Sequence, residues 1–274
     1  MSAAIFANHK EAKLKTLILI PARFDSSRLP GKPLKDETGY PLIQHVYEQA
    51  KKSKLASDIV VATDDERIKK AVNSFGGNCE MTFASHESGS DRIAEVARKL
   101  SDEYDVIVNV QGDEPELEPE AIDLVARIQH ETMPFMSTLA CKFPAGTQMG
   151  TGTPLDPACV KVVLGKKLAN VSSDIEAYKA IYFSRSVIPY LRENDGIPVR
   201  NEEFFMHIGI YAYSKDSLLA FTNLEKSRLE SLEQLEQLRV IENHLGLHVG
   251  IVEHAVPGID TPNDYQAFVK RWKG

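Results

Sequence analysis

Three positively charged side chains follow the first predicted strand within one short loop. Residues 17–20 are a continuous apolar run, which predicts a strand buried on both faces, and Pro21 interrupts its hydrogen-bonding ladder. The loop that follows presents three cations and two hydroxyls: Arg23, Arg28, Lys32, Ser26 and Ser27. Like charges beside a buried strand are costly to desolvate unless an anion meets them, and open α/β sheets bind ligands where their strands end. The loop therefore predicts a polyphosphate-binding site, with a solvated basic surface as the alternative.

Two carboxylates stand where later strands are predicted to end. Asp113 follows the apolar run at residues 105–110, and Asp260 follows the one at residues 248–253. Mg²⁺ typically takes one or two protein carboxylates and completes its shell with phosphate oxygens and water. The pair therefore predicts a Mg²⁺ site beside the basic loop, although a single Asp after a strand is more often a helix cap.

Several common catalytic and nucleotide-binding motifs are missing from the sequence. Gly31 and Lys32 are followed by Pro33 rather than by Ser or Thr, so the loop is not a Walker A motif. The first strand is not followed by G-x-G-x-x-G, and the chain has no nucleophile elbow. These absences weigh against a P-loop protein, a dinucleotide-binding dehydrogenase and an α/β-hydrolase.

The composition limits which class of protein this can be and in which compartment it is expected. The 274 residues carry a net charge of −7, which argues against a general nucleic-acid binder because phosphate neutralisation needs a basic surface. The three cysteines are far apart and form no C-x-x-C pair, which favours a reducing compartment over a zinc site or a disulfide framework. Residues 1–15 read as a flexible polar leader without a signal-peptide core, and no apolar run approaches the ~20 residues that a membrane helix needs. We expect a cytoplasmic protein with no membrane partner.

The order of predicted elements favours an α/β fold with a doubly wound, mostly parallel, Rossmann-like sheet. Strands are predicted at residues 17–20, 58–62, 80–83, 105–110, 135–143, 160–164, 180–184, 207–213 and 248–253. Helices are predicted at residues 41–54, 68–75, 93–100, 119–131, 227–244 and 263–273. The spacing of apolar side chains carries these assignments. We expect one domain over residues 16–274, in which residues 135–224 form an inserted β-rich lobe.

A series of motifs resembles the 3-deoxy-manno-octulosonate (Kdo) cytidylyltransferases over residues 16–271. In chain order the motifs are IPARFDSSRLPGKPL, VATD, SGSDR, VNVQGDEP, VKVVL, YFSR, HIGIYAY, LEQLEQLR and PGIDTPND. The first alone is typical of the wider nucleotidyltransferase superfamily, and the later ones are more specific. The resemblance implies a fold of the nucleotide-diphospho-sugar transferase type. It also implies the reaction CTP + Kdo → CMP-Kdo + diphosphate, which activates Kdo for lipopolysaccharide biosynthesis, and a homodimer formed through the inserted lobe.

The resemblance also implies a role for individual residues. The nucleotide would be held by Ala22, Arg23, Arg28, Lys32, Ser88, Gly89, Ser90, Arg92 and Gln111, with Arg28 and Lys32 also acting in catalysis. Mg²⁺ would be held by the catalytic carboxylates of Asp113 and Asp260. The sugar acid would be held by Gln111, Arg185, His207, Tyr211, Glu236 and Gln237. Taken singly, His207 and Tyr211 are as well explained by packing in a strand, and Glu236 by a solvated helix face.

The chemistry expected from these residues is an in-line attack of the anomeric 2-hydroxyl of Kdo on the α-phosphorus of CTP. Three alternatives stay open: activation of an amino-Kdo, activation of a sialic acid, and a non-catalytic nucleotide-binding protein. The loop at residues 23–28 argues against the sialic acid branch, which usually has a glycine-rich loop there. Ser90 stands where the family commonly has Thr, and the approach to the VKVVL strand at residues 153–159 is atypical.

Overall fold

The protein is described by a computed structural model that covers residues 14–26, 28–100, 103–146, 150–256 and 258–274. Within these residues the strands are β1 Thr16–Ala22, β2 Ala56–Thr63, β3 Asn78–Met81, β4 Val106–Asn109, β5 Met136–Lys142, β6 Lys161–Lys167, β7 Ala177–Ser184, β8 Phe205–Tyr213 and β9 Leu247–Val252. The helices are α1 Leu42–Ala50, α2 Glu66–Ser74, α3 Gly89–Lys99, α4 Pro119–Thr132, α5 Lys215–Asn223, α6 Arg228–Glu233, α7 Leu238–Glu242 and α8 Pro262–Lys273. Each predicted strand overlaps an observed one. Residues 1–13 of the leader, Ser27, residues 147–149 of the 146–157 loop and Pro257 lie outside the described residues.

The first four strands form a parallel unit, as predicted. Their order in the sheet is β3-β2-β1-β4, and every pairing among them is parallel. Alternate side chains of β1 enter two different hydrophobic clusters, with Ile18 and Ile20 in one and Leu17 and Leu19 in the other. Helices α1, α2 and α4 contribute to the first cluster, and α3 and α5 to the second. Burial on both faces explains the unbroken apolar run of this strand.

The sheet as a whole is mixed, so the prediction of a mostly parallel, doubly wound sheet is wrong beyond β4. The nine described strands follow the order β3-β2-β1-β4-β8-β5-β9-β7-β6. Strand β8 runs antiparallel to both β4 and β5, and β7 runs antiparallel to β6 and β9. Only β5 and β9 add a parallel pair to this half. Strands buried on both faces have the same apolar pattern in either direction, so periodicity does not reveal their orientation.

Residues 135–224 contribute β5 to β8 and α5 to the same sheet. Helix α5 was not predicted. Within the part of the chain that the structure describes, no helix is both long enough and apolar enough to span a membrane.

The prediction of one continuous helix over residues 227–244 is also wrong. Helix α6 ends at Gln234, which has a φ of 54° and a ψ of 50° in the left-handed region, and α7 begins four residues later. A single helix would have placed Leu232 on the apolar stripe, whereas it is 67% exposed. After the break, Glu236 accepts a hydrogen bond from Ser90 of α3, and Gln237 accepts one from Tyr211 of β8.

Candidate functional site

A cavity of about 360 Å³ opens at the carboxyl ends of β1 and β4. It is lined by Pro21, Ala22, Arg23, Asp25, Ser26, Arg28, Lys32, Pro33, Gly89, Gln111, Gly112, Asp113 and Asp260. Strand ends of open α/β sheets are the usual place for ligands, because side chains and free backbone groups converge there. The basic loop and both predicted metal-binding carboxylates therefore share one cavity.

Lys32 joins the two carboxylates at the centre of this cavity. Its Nζ lies 2.8 Å from Asp113 Oδ2, 3.3 Å from Asp260 Oδ1 and 2.8 Å from the carbonyl oxygen of Ile259. The Lys32 side chain is only 13% exposed, and Arg28 Nη2 lies 3.0 Å from Asp260 Oδ1. The two carboxylates thus point toward one another although 147 residues separate them in the sequence.

Packing beneath the loop holds Lys32 and Asp260 together. Gly31 turns the chain with a φ of 66°, and its N–H donates to the carbonyl of Phe24 at 3.2 Å. A small apolar cluster then ties this loop and α1 to the C-terminal segment; its members are Leu29, Leu42, Ile259, Tyr265, Phe268 and Val269. Burial of these side chains fixes the C-terminal segment against the first βα connection, which sequence spacing does not reveal.

Gly112 is a residue of the site that sequence reasoning missed. A methyl group on its Cα would lie 2.7 Å from the carbonyl oxygen of Pro21, so only glycine lets the backbone after β4 approach the backbone after β1 this closely. The approach brings Gln111 and Asp113 to the wall of the same cavity as Arg23. The only sequence signal was the glycine between two polar residues at a strand end.

Arg23 is held by the loop that precedes α3. Its Nη2 donates to the carbonyl oxygen of His86 at 2.7 Å. His86 Nε2 lies 2.6 Å from Glu95 Oε2, and the Phe83 N–H donates to the same carboxylate oxygen at 2.9 Å. Burial and the nearby charge of Arg92 lower the pKa of Arg23. An anion entering the cavity would offset that cost, which suits the predicted role of Arg23 on a phosphate.

The four residues of the SGSDR motif that were assigned to the nucleotide take different positions. Gly89 lines the cavity, whereas Ser88 forms the capping box of α3 with Asp91. Arg92 is fully buried, and its guanidinium donates to the side chains of Thr82 and Asp64. These bonds give Arg92 a structural role behind the cavity wall. Ser90 Oγ donates to Glu236 Oε2 at 2.7 Å.

The side chains assigned to the sugar acid form a second, mostly uncharged group next to β8. The Tyr211 hydroxyl donates to Gln237 Oε1 at 3.2 Å, and His207 Nε2 shares a 2.9 Å hydrogen bond with Thr138 Oγ1. The rings of His207 and Tyr211 lie 5.6 Å apart, centroid to centroid. Burial lowers the pKa of His207 to about 3 and raises the pKa of Glu236. The imidazole is therefore neutral at physiological pH.

Arg185 lies at the end of β7 and is already bonded by backbone carbonyls. Its Nε donates to the Glu233 carbonyl at 2.7 Å, and its Nη1 donates to the Pro157 carbonyl at 3.0 Å. Glu233, which sequence reasoning missed, also accepts bonds from the Ser184 hydroxyl and the Arg185 N–H. We call these bonds from Arg185 to backbone carbonyls the backbone clasp. A guanidinium has five N–H donors, so the backbone clasp leaves donors for a ligand.

Glu114 is the third residue that sequence reasoning missed. Its Oε2 is enclosed, and no group in the described part of the chain hydrogen-bonds to it; the same holds for Gln237 Nε2. Burial, followed by the charges of Asp113 and Asp260, raises the pKa of Glu114 to about 8. Natural structures rarely keep such atoms unpaired, so Glu114 invites a functional explanation.

The donor set at Asp113 and Asp260 fits Mg²⁺. Both are hard carboxylate oxygens, and the Lys32 ammonium bound to both shows that the space between them attracts positive charge. The described residues contain no group of three or more His, Cys, Asp or Glu side chains able to hold a metal ion. Two carboxylates are nevertheless enough for a Mg²⁺ ion that also binds substrate phosphates.

Comparison with known proteins shows which family the chain belongs to. A family model described as cytidylyltransferase matches residues 17–247. The 3-deoxy-manno-octulosonate cytidylyltransferase of Geobacter sulfurreducens is 42% identical over 265 residues, covering 93% of this chain and 98% of the relative. The protein of the same name from Geotalea uraniireducens is 42% identical over 270 residues, covering 95% of this chain and 100% of the relative.

Two solved structures are also similar to this chain. A CMP:2-keto-3-deoxy-manno-octonic acid synthetase complexed with CTP is 38% identical and has a TM-score of 0.80, covering 94% of this chain and 98% of that one. A 4-diphosphocytidyl-2C-methyl-D-erythritol synthase from Anaerococcus prevotii, 12% identical with a TM-score of 0.57, covers 96% of this chain and 99% of that one and shares the fold alone. The mixed α/β sheet is thus that of the cytidylyltransferase fold. This chain belongs to the 3-deoxy-manno-octulosonate cytidylyltransferase family.

Proposed function

We propose that the protein transfers the cytidylyl group of CTP to Kdo, giving CMP-Kdo and diphosphate. The observation that carries this proposal is the convergence of Lys32, Asp113 and Asp260 in the cavity beside β1. Two carboxylates and a group of cations at one strand edge are what nucleotidyl transfer needs from a protein. The family supplies the identity of the nucleotide and of the sugar acid.

The cations of the basic loop bind the triphosphate. Arg23, Arg28 and Lys32 line the cavity on one side, and Gly89 leaves the N-terminal end of α3 open on the other. Arg28 and Lys32 stabilise the charge that develops on the departing diphosphate. Lys32 must exchange its bonds to the carboxylates for bonds to phosphate oxygens as CTP enters.

Asp113 and Asp260 would hold Mg²⁺. When bound, the ion would neutralise phosphate charge and orient the triphosphate. Because Lys32 bonds to both carboxylates, its movement toward the phosphates vacates the space between them. Triphosphate binding and metal binding are therefore coupled through this one side chain.

The reaction transfers the cytidylyl group, and bonds change at the α-phosphorus of CTP. The anomeric 2-hydroxyl oxygen of Kdo forms a bond to the α-phosphorus while the bond from that phosphorus to the bridging oxygen of diphosphate breaks. The hydroxyl releases its proton to water, and diphosphate leaves with the bonding electron pair. His207 takes no part as a general base, because burial lowers its pKa to about 3 and it is bonded to Thr138.

The residues beside β8 bind the sugar acid. Kdo carries one carboxylate and several hydroxyls, which match one guanidinium and a set of neutral hydrogen-bonding side chains. Arg185 pairs with the carboxylate through the donors that the backbone clasp leaves. Gln111, His207, Tyr211, Glu236 and Gln237 bind the hydroxyls.

The oligomeric state and the cellular compartment are part of the same proposal. Residues 181–199 expose four large apolar side chains, which are Ile181, Tyr190, Ile197 and Val199. Exposed apolar side chains of this size favour contact with a second copy of the chain, so we propose a homodimer. Sedimentation would show a mass near twice 30.5 kDa. The enzyme acts in the cytoplasm, where it activates Kdo for lipopolysaccharide biosynthesis.

The proposal is tested by diphosphate release from CTP with Mg²⁺ and each of three acceptors. Kdo-dependent release is the expected result. Release with an amino-Kdo or with N-acetylneuraminate, but not with Kdo, would move the protein to another sugar-acid specificity. CTP binding without release on any acceptor would identify a non-catalytic nucleotide-binding protein.

A further inference from the structure

Gly209 lies in the middle of β8, on the same side as His207 and Tyr211. The neighbouring Ile208 and Ile210 point to the opposite side, into the core. The pairing of β8 with β5 shifts at this point, and Thr138 Oγ1 lies within 3.1 Å of the carbonyls of Ile208 and Ile210. Such bulges occur beside active sites, where they redirect side chains.

Neither backbone conformation nor packing requires glycine at position 209. Its φ lies outside the left-handed region, and a methyl group on its Cα would meet only Glu114 Oε1 at 3.6 Å and Gln111 Cγ at 3.9 Å. These are ordinary van der Waals distances. At Gly250 in β9, by contrast, the same methyl group would overlap Ile128, so packing explains that glycine. Glycine in a strand interior costs about 0.5–1 kcal/mol relative to alanine, so Gly209 calls for another reason.

Gly209 adjoins the cavity through Gln111. A methyl group on Gly209 would lie 3.9 Å from Gln111 Cγ, and Gln111 lines the cavity at the carboxyl ends of β1 and β4. Glu114, the other neighbour, turns Oε1 toward Gly209 while its Oε2 is enclosed without a partner. Gly209 stands two residues from both His207 and Tyr211 in β8, so the carboxyl that adjoins it lies beside the residues of the sugar-acid group.

We propose that Gly209 and Glu114 form the floor of the sugar-acid site, where Gly209 leaves room for the sugar and Glu114 Oε1 accepts a hydrogen bond from one of its hydroxyls. The inference rests on the proposed function and adds two residues to it. Oε1 is the oxygen of this carboxyl that faces Gly209, so an arriving hydroxyl donor can reach it although Oε2 is enclosed. A sugar lying flat against a strand needs a residue without a side chain at the point of contact.

The first test is Gly209→Ala, with Gly246→Ala as the matched control. A methyl group at Gly246 would also make only ordinary contacts, 3.8 Å from the Phe135 nitrogen and from Pro134 Cβ, and Gly246 lies at the start of β9 away from the cavity lining. We expect Gly209→Ala to raise the KM for Kdo about tenfold or more without changing the KM for CTP. Gly246→Ala should change neither constant. A wild-type KM for Kdo in folded Gly209→Ala would overturn the role of Gly209.

The second test is Glu114→Met, which keeps the length of the side chain but removes both acceptor oxygens. We expect the KM for Kdo to rise about tenfold, while calorimetry with CTP and Mg²⁺ shows unchanged nucleotide affinity. Kdo analogues that each lack one hydroxyl then identify the donor, since one analogue should be bound equally by the variant and the wild type. Loss of CTP and Kdo affinity to the same extent would overturn the proposal, because it would place Glu114 with the metal-binding carboxylates.

These outcomes separate the inference from the proposed function. If the wild-type protein releases diphosphate with Kdo and the two variants keep its KM for Kdo, only the inference fails. If the wild-type protein does not use Kdo, the proposed function itself fails.

Discussion

The two sides of the site hold their polar groups in opposite ways. On the phosphate side, which comprises Arg23, Arg28, Lys32, Asp113 and Asp260, charged groups pair with one another and with backbone carbonyls around an open cavity. On the sugar side, which comprises Arg185, His207, Gly209, Tyr211, Glu236 and Gln237 with Glu114, most groups are neutral and enclosed, and two polar atoms have no partner in the described residues.

The difference matches what the proposed ligand of each side would need. A triphosphate brings several charges, so its site needs cations that stay solvated and paired until the ligand replaces their partners. A sugar acid brings mainly hydroxyls, whose recognition depends on enclosed donors and acceptors that are costly to leave unpaired. Substitutions on the phosphate side should therefore act mainly on turnover, and those on the sugar side on the KM for the sugar acid.

The largest effect is expected from Asp113→Ala on the phosphate side. The substitution removes one of two carboxylates that would hold Mg²⁺, so turnover should fall by about a thousandfold or more. Diphosphate release measures the loss, and thermal unfolding checks that the fold is intact. Asp216→Ala, which removes an exposed carboxylate from α5, should leave turnover unchanged. Near-normal turnover in Asp113→Ala would end the metal assignment.

Lys32→Met should lower turnover by about a hundredfold, because the departing diphosphate loses a cation. In the nucleotide-free protein the same change should strengthen the binding of a divalent cation. Asp113 and Asp260 would then face each other without the ammonium that now lies 2.8 Å and 3.3 Å from their oxygens. Titration with Mn²⁺, followed by electron paramagnetic resonance, measures this affinity without turnover.

The control for that experiment is Lys35→Met in the same loop. Its ammonium lies 6.0 Å from the centre of the Tyr265 ring rather than between the carboxylates. Cation affinity should stay at the wild-type value in this variant. An unchanged affinity in Lys32→Met as well would show that Lys32 does not compete with the metal.

The phosphate side was also the side that could be predicted from residue types alone. Its cations and carboxylates follow predicted strand ends, and parallel strands bring such ends together. Gly112 escaped prediction because a glycine at a strand end has no signal that distinguishes a close backbone approach from an ordinary turn. The reach of Asp260 to Lys32 depends on the apolar cluster under α8, which is a tertiary contact.

The sugar side could be assigned only through the family resemblance. Its residues come from β7, β8 and the segment between α6 and α7, and their meeting depends on antiparallel pairings that apolar patterns do not reveal. The break at Gln234 has no Gly or Pro to mark it, so the leucine spacing predicted one helix. Glu114 and Glu233 were missed because an acidic residue in a loop is ordinary until its burial or its partners are known.

A smaller effect is expected from Arg185→Lys on the sugar side. Lysine keeps the positive charge but not the geometry that binds a carboxylate and two backbone carbonyls at once, so the KM for Kdo should rise about tenfold. Turnover at saturating Kdo should change little. Arg192→Lys, on an exposed arginine of the same segment, is the matched control. If Arg185→Lys lowers thermal stability but keeps the KM for Kdo, Arg185 is a clasp for α6 and not a ligand of the sugar acid.

The smallest effect on activity is expected from Glu95→Gln. The Glu95 side chain lies behind the residues of the phosphate side. Burial disfavours the charge on Glu95, but bonds from Lys99, the Phe83 N–H and His86 outweigh it and lower its pKa to about 2. A lowered folded-state pKa adds stability above the unfolded value near 4.5, and that stability is lost as pH falls toward 2. Glu95→Gln should therefore cost about 2 kcal/mol of unfolding free energy at pH 7 and progressively less below pH 4.5.

Chemical denaturation at a series of pH values measures this difference, with Glu87→Gln as the control on an exposed carboxylate nearby. The same variant tests whether the bonds that hold the loop before α3 affect CTP binding. Glu95 holds His86, whose carbonyl accepts the 2.7 Å bond from Arg23. The KM for CTP should therefore rise by about two- to fivefold while the KM for Kdo stays constant, as expected when one ordinary hydrogen bond is loosened. An equal rise in both constants would mean that the two sides of the site are not mechanically separate.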